Sequence, residues 1–183
     1  MLTFLFFVFS FHSNAQNPVV KIACVGNSVT YGYGLKDPAT NSYPSLLQQT
    51  FGGKYVVGNF GHSGATLLRK GHNPYYKTKA FSDMLQFKPD IAVIHLGLND
   101  TDPRNFPNYR DAFISDYSWL IDTIKKTNPG VKIYICSLTP IFSDHPRFVS
   151  STYDWYWILQ QKIKEVATIH NLSLIDLNGA LFN

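Results

Sequence analysis

Short apolar runs alternate along the chain with longer segments in which apolar residues recur every three or four positions. Several of the apolar runs are almost continuous, which is typical of strands covered on both faces. The pattern predicts strands at 21–25, 55–60, 91–96, 132–137 and 173–177. The intervening segments predict helices at 42–51, 78–87, 109–127 and from about 153 onward. Repeated alternation of strand and helix predicts a parallel sheet with helices on both faces.

Composition limits the classes of protein that fit this pattern. The chain has 183 residues, of which 45% are hydrophobic and 15% charged, which indicates one globular domain with a single core. The formal net charge is +4 and the isoelectric point is about 9.0. The basic residues are scattered, and no basic run is longer than two residues, as at Lys125-Lys126. A nucleic-acid binder would cluster such charge along one face, so we expect no nucleic-acid partner.

The first fifteen residues differ in character from the rest. An apolar run at 2–11 is followed by Ser13, Asn14 and Ala15, which resemble a small-residue cleavage site. A transmembrane helix needs roughly 20 apolar residues, so the run is too short to cross a bilayer. A buried amino-terminal strand is the alternative interpretation. We predict a signal peptide at 1–15, a folded domain at 20–183, no membrane span after cleavage, and a periplasmic or extracellular protein.

Polar residues with glycine follow three of the predicted strands. Gly26-Asn27-Ser28 follows the first, the segment 59–64 follows the second, and the segment 97–100 follows the third. In open parallel sheets, ligands bind beyond the carboxyl ends of the strands, so these residues are expected to share one edge. A serine hydroxyl, a glycine amide and an asparagine amide are the groups that acyl transfer needs: one attacks a carbonyl and the others stabilise the oxyanion.

The three segments resemble the conserved blocks of the SGNH, or GDSL, hydrolases. Ser28, Gly64 and Asn99 fall in the family's order and at the corresponding strand ends, from about residue 20 to the end of the chain. The resemblance implies a flavodoxin-like three-layer α/β/α fold with a five-stranded parallel sheet. It also implies that Ser28 is the nucleophile, and that Gly64 and Asn99 are oxyanion donors together with the amide of Ser28 itself. The longer phrases GNSVTYGYG, NFGHSGATLLRKG and LGLNDT are most similar to bacterial sugar O-acetylesterases, including the sialate O-acetylesterase type.

The chain departs from the family pattern at two places. The family usually has an aspartate at the position of Asn27, which is not the acid of its catalytic triad. The family also supplies its triad acid and base as Asp-x-x-His after the fifth strand, and no such motif follows residue 177. We therefore expect a C-terminally truncated, inactive form of a longer serine esterase. Of the histidines present, His62 is expected to line the pocket, and Asp144-His145 has the residue types of a triad pair but not its spacing.

Candidate substrate contacts occupy the loop after the second strand. Arg69 can pair with a carboxylate or donate to a sugar, His62 lies beside Gly64, and Tyr75 offers a ring for stacking on a sugar face. With the resemblance, these residues favour an O-acetylated carbohydrate as substrate, without a metal or cofactor. Alternatives are a lipid acylhydrolase or thioesterase on the same scaffold, or a non-catalytic carbohydrate-binding domain if the chain end is genuine. A flavodoxin-like electron carrier is disfavoured, because the loop after the first strand lacks a run of Ser and Thr for a flavin phosphate.

Overall fold

The computed structural model describes residues 18–141 and 151–182. Within them lie five strands: β1 (Val20–Gly26), β2 (Tyr55–Gly61), β3 (Ile91–His95), β4 (Lys132–Cys136) and β5 (Ser173–Ile175). All pair in parallel, in the order β2-β1-β3-β4-β5. The prediction of a five-stranded parallel sheet in a three-layer α/β fold is confirmed, and each strand begins within one residue of its predicted start.

Helices connect the strands throughout the described residues. They are α1 (Ser28–Tyr31), α2 (Pro38–Asn41), α3 (Tyr43–Phe51), α4 (Lys79–Phe87), α5 (Phe106–Tyr109), α6 (Phe113–Thr127), α7 (Ser151–Ile169) and α8 (Leu177–Phe182). Local chemistry sets several of the ends. The Thr78 hydroxyl accepts a hydrogen bond from the Phe81 amide at 3.2 Å and caps the start of α4. Gly52 has a φ of 65° at the end of α3, a value that glycine adopts without strain.

The core lies on the middle strands of the sheet. Most of β1 and β3 is buried, whereas the edge strands β2 and β5 are largely half-buried or exposed. Tyr117, Ile121 and Ile124 of α6 are fully buried in the same core cluster. Burying one such side chain contributes about 1.5–3 kcal/mol relative to leaving it exposed, so the helices hold the sheet through these faces.

The strand register brings the candidate residues to one edge. Gly26 at the end of β1 pairs with Gly61 of β2 and with His95 of β3. A Cβ atom on Gly61 would overlap the backbone nitrogen of Tyr31, so only glycine allows α1 to lie this close to β2. The His62 amide donates to the Gly26 carbonyl at 2.9 Å and extends this contact beyond the strands. The segments that follow β1, β2 and β3 therefore begin side by side at one edge of the sheet.

The cysteines, the possible metal ligands and the hydropathy of the helices were each compared with what other kinds of function would require. Cys24 and Cys136 are buried free thiols, and burial raises the pKa of each to about 12, so both stay neutral. No group of three or more His, Cys, Asp or Glu side chains there is arranged to hold a metal ion. No helix in these ranges is both long and apolar enough to cross a membrane. The predicted signal peptide at 1–15 and Asp144-His145 lie outside the described residues.

Candidate active site

Ser28 is the first residue of α1, directly after β1. Asn27 caps this helix, because its Oδ1 accepts a hydrogen bond from the Val29 amide at 3.0 Å. The first amides of a helix have no partner within it, and the Ser28 N–H donates to no acceptor in the part of the chain described. The half-buried Ser28 hydroxyl is likewise free of hydrogen bonds there. A nucleophile and one oxyanion donor can therefore come from the same residue.

Gly64 lies in the loop after β2, three residues beyond the strand end. Its φ of 79° falls in the left-handed region, where a side chain would be strained. The Ala65 amide donates to the His62 carbonyl at 3.1 Å and closes a tight turn around Gly64. Across residues 18–141 and 151–182 the Gly64 N–H has no acceptor, so this amide is a second unpaired donor at the edge.

Asn99 lies in a short 3₁₀ turn, Leu98–Thr101, after β3. Its side-chain amide donates to the Ala65 carbonyl at 2.9 Å. An amide group carries two N–H donors, so one hydrogen remains for a ligand. The contact places Asn99 against the residue that follows Gly64. The structure thus brings two of the predicted oxyanion donors together, and the strand register places the Ser28 segment at the same edge.

Asp100 ties the loop after β2 to the loop after β3. The side chain is 0% exposed, and its two oxygens accept hydrogen bonds from the Leu67 amide at 2.8 Å and the Leu68 amide at 2.7 Å. Burial raises the pKa of Asp100 to about 7, although the Leu68 and Leu67 amides lower it, and the neighbouring Asp116 carboxylate adds to the rise. Asp100 positions the loops that carry Gly64 and Asn99, rather than facing solvent.

Asn105 is a second connecting residue, and no local sequence pattern distinguishes it. It is fully buried, and its amide donates to the Asn99 carbonyl at 2.9 Å, while its oxygen accepts from the His72 amide at 2.9 Å. Nearby, Arg104 forms an ion pair with Asp102 at 2.7 Å. Hydrogen bonds from Arg104 hold the pKa of Asp102 at about 2. The hydrogen bonds of Asn105 and the Arg104–Asp102 ion pair therefore hold the loop after β3 in place.

None of the described histidines hydrogen-bonds to Ser28. His95 is buried, which lowers its pKa to about 4, and its Nε2 accepts from the Thr139 amide at 3.4 Å. The ring of His170 bonds the Ser118 hydroxyl at 2.8 Å, and the ring of His72 contacts Asn105. His62 is half-buried at the strand edge. A base for Ser28 is not found within these ranges.

The three predicted substrate contacts have different surroundings. Arg69 is exposed, and its guanidinium lies over the Trp119 ring, 4.4 Å from the centroid. His62 keeps part of its surface beside Gly64. Tyr75 is 2% exposed, its hydroxyl donates to the Phe60 carbonyl at 2.7 Å, and its ring packs against Phe81. The prediction that Tyr75 contacts substrate is therefore corrected: it is a core residue whose hydroxyl is already paired.

The fold and the site define a three-layer α/β domain with its polar groups at the carboxyl edge of a five-stranded parallel sheet. A sequence model described as the GDSL-like lipase/acylhydrolase family matches residues 24–183, and the chain belongs to that family. An acetylxylan esterase of Xylanibacter ruminicola is 35% identical over 194 residues. This match covers 92% of the chain but only 38% of that relative's length.

Solved structures share the fold at lower sequence identity. A carbohydrate acetylesterase family member from Sinorhizobium meliloti has a TM-score of 0.70 and 20% identity, over 86% of this chain and 83% of that one. The native M. smegmatis aryl esterase has a TM-score of 0.67 and 19% identity, over 86% and 84% of the two chains. At this level of identity the likeness establishes the fold alone.

The buried carboxyl of Asp100 leads to a prediction about stability. Because its pKa is about 7 in the fold and near 3.8 when the chain unfolds, the folded state binds more protons between these values. The stabilisation is complete below pH 4 and is lost as the pH rises through 7, by on the order of 4 kcal/mol for a shift of this size. Urea unfolding of the wild type and Asp100→Asn from pH 4 to pH 8 measures it.

Asp100→Asn is uncharged at every pH and keeps one of the two acceptor oxygens, so it is a reference of constant charge. The free energy of unfolding of the wild type should fall relative to the variant across this range. Asp122→Asn, a change at an exposed position on α6, is the matched control and should show no such trend. A wild type that gains stability over Asp100→Asn as the pH rises would contradict the assignment. It would mean that the two amide hydrogen bonds outweigh burial.

Proposed function

We propose that the protein is an exported serine esterase that removes acetyl groups from a carbohydrate, with acetylated xylan as the favoured substrate class. The 35% identity to an acetylxylan esterase over 92% of the chain supports the substrate class. Membership of the acylhydrolase family supports ester chemistry. Export rests on the apolar run at 2–11 and its small-residue cleavage pattern.

One observation carries the proposal: three hydrogen-bond donors at the strand edge have no competing acceptor among the residues that the structure describes. They are the Ser28 amide, the Gly64 amide and the second hydrogen of the Asn99 amide. Donors that are fixed before the reaction stabilise a developing oxyanion without reorganisation, and this is often the largest single contribution to catalysis. The hydrogen bonds of Asp100 and Asn105 hold the two loops that supply the second and third donors.

In the proposed reaction, the Ser28 Oγ attacks the acetyl carbonyl carbon and gives up its proton to a base. The resemblance implies that the base is a histidine, outside the described residues. The oxyanion forms against the three donors and collapses, the bond to the sugar oxygen breaks, and the sugar leaves as an alcohol with that proton. Water then attacks the acetyl-enzyme ester, which releases acetate and restores the Ser28 hydroxyl. We propose Arg69 and His62 as substrate contacts at the rim.

The substrate class can be tested by comparing esters that differ in both acid and alcohol. We expect the full-length protein to release acetate from acetylated xylan with a kcat/KM exceeding that for O-acetylated sialic acid or for a palmitate ester by about tenfold or more. Acetate is measured enzymatically, and the same xylan stripped of acetyl groups is the blank. A higher kcat/KM for the palmitate ester would replace this proposal with a lipid acylhydrolase.

A further inference from the structure

A concavity of about 460 Å³ lies between the loop after β2 and the segment that leads into α6, and we refer to it as the distal groove. Side chains from this loop and from the segment leading into α6 line it, among them Arg69, Lys70, Tyr76, Asn108, Tyr109 and Asp111. Its volume is within the range of small-molecule sites. None of its lining residues belongs to the group of oxyanion donors.

Arg69 is held in place within this groove by contacts to both its backbone and its side chain. Its amide donates to the Asp116 carboxylate at 2.8 Å, and that carboxylate is largely buried on α6. The guanidinium lies over the rings of Trp119 and Tyr76, with centroid distances of 4.4 and 5.6 Å. In the described part of the chain the guanidinium has no carboxylate partner, so its N–H donors are available to a ligand. An arginine fixed before binding loses less entropy when it binds.

The chemistry of the lining fits a neutral, hydroxyl-rich ligand. The positive charges of Arg69 and Lys70 are offset by the carboxylates of Asp111 and Asp116, so the groove has no strong bias toward an anion. It offers both donors and acceptors, as sugar hydroxyls require, because each hydroxyl can donate and accept. The half-buried ring of Tyr109 adds an apolar surface of the kind on which sugar faces stack.

The distal groove is connected directly to the oxyanion loops. Arg69 follows Leu68, whose amide bonds Asp100, and Asp100 is the neighbour of Asn99. Gly64 and Arg69 are five residues apart in sequence, so their Cα atoms are at most about 18 Å apart. A polymer with an acetyl group at Ser28 could therefore extend into the groove.

We propose that the distal groove binds sugar units of the same polysaccharide chain that are not being deacetylated. This inference rests on the proposed function, since it assigns the groove to the polymeric part of that substrate. Binding energy from such remote units orients the reacting ester, and a small ester that lacks them cannot use it. The groove therefore sets the preference for polymer over small acetyl esters.

The test compares a polymeric and a small substrate in groove variants of the full-length protein. Arg69→Ala and, separately, Asp111→Ala should lower kcat/KM on acetylated xylan by about tenfold, the size expected for one hydrogen bond to a charged group. Turnover of p-nitrophenyl acetate by Asp111→Ala should stay within about twofold of the wild type, since this ester does not reach the groove. Lys126→Ala is the control, because Lys126 is an exposed cation on α6 that does not line the groove.

A binding measurement separates this inference from the proposed function. Calorimetry with a neutral xylo-oligosaccharide should give a Kd that Arg69→Ala weakens about tenfold and Lys126→Ala leaves unchanged. Binding that depends on Arg69 in a protein that releases no acetate would overturn the proposed function and keep the groove. Acetate release from polymer that is equal in Arg69→Ala and the wild type would overturn the groove and keep the function. Binding only to a glucuronic-acid-substituted oligosaccharide would overturn the assignment to a neutral chain.

Discussion

Replacement of Ser28 by alanine is expected to abolish acetate release from acetylated xylan, with a fall in kcat of about 10⁴–10⁶-fold. The change removes the only atom that could form the proposed acetyl-enzyme, while the amide of residue 28 stays in place as an oxyanion donor. Because the Ser28 hydroxyl makes no hydrogen bond in the described structure, its loss should cost little stability. Acetate release is measured under initial-rate conditions, and unfolding in urea is measured alongside.

A second serine provides the control for this experiment. The hydroxyl of Ser82, exposed on α4, donates to the Lys79 carbonyl at 2.9 Å, so Ser82→Ala removes a hydroxyl outside the predicted site. This variant should retain the wild-type rate. Undiminished turnover in Ser28→Ala would exclude the acetyl-enzyme at this position. Mass spectrometry of the wild type mixed with a slow acetyl ester should in turn locate one added acetyl group on Ser28.

The sheet could be predicted from sequence because its middle strands are buried on both faces. The buried part of such a strand excludes polar residues, which leaves an apolar run such as the one at 22–25 that no surface helix would carry. The helix at Phe113–Thr127 was equally visible, since Tyr117, Ile121 and Ile124 repeat at helical spacing and are all buried. Hydrophobic patterns of this kind are visible in the sequence because they follow directly from which positions the fold buries.

Short helices and single buried polar residues produce no such hydrophobic pattern in the sequence. The helix that begins at Ser28 has only four residues, too few for a period to show. Asn105 is one buried amide whose partners lie six and 33 positions away in the chain. Tyr75 illustrates the opposite error: it lies among polar loop residues, but the fold turns its ring inward against Phe81 and pairs its hydroxyl. Contacts with other segments decide the cases of Asn105 and Tyr75, and local sequence does not contain them.

The second large effect is expected from Asn99→Ala, which should lower kcat on acetylated xylan by about 10²–10³-fold with little change in KM. The lost donor would act on the oxyanion, which exists only in the transition state and in the tetrahedral intermediate, so ground-state binding should hardly change. The variant also loses the hydrogen bond to the Ala65 carbonyl. A neutral hydrogen bond of this kind contributes about 1 kcal/mol to stability, which urea unfolding would register separately from the rate.

Asn73→Ala separates the catalytic effect from a structural one. The amide of Asn73 donates to the Ser63 carbonyl at 3.4 Å, so this variant removes a longer amide-to-carbonyl contact to the same loop without removing a proposed oxyanion donor. If loosening of the loop caused the loss of rate, both variants would slow the enzyme to a similar extent. If Asn99 stabilises the oxyanion, Asn73→Ala should stay within about threefold of the wild type. A loss below about threefold in Asn99→Ala itself would remove Asn99 from that role and leave the two backbone amides as the donors.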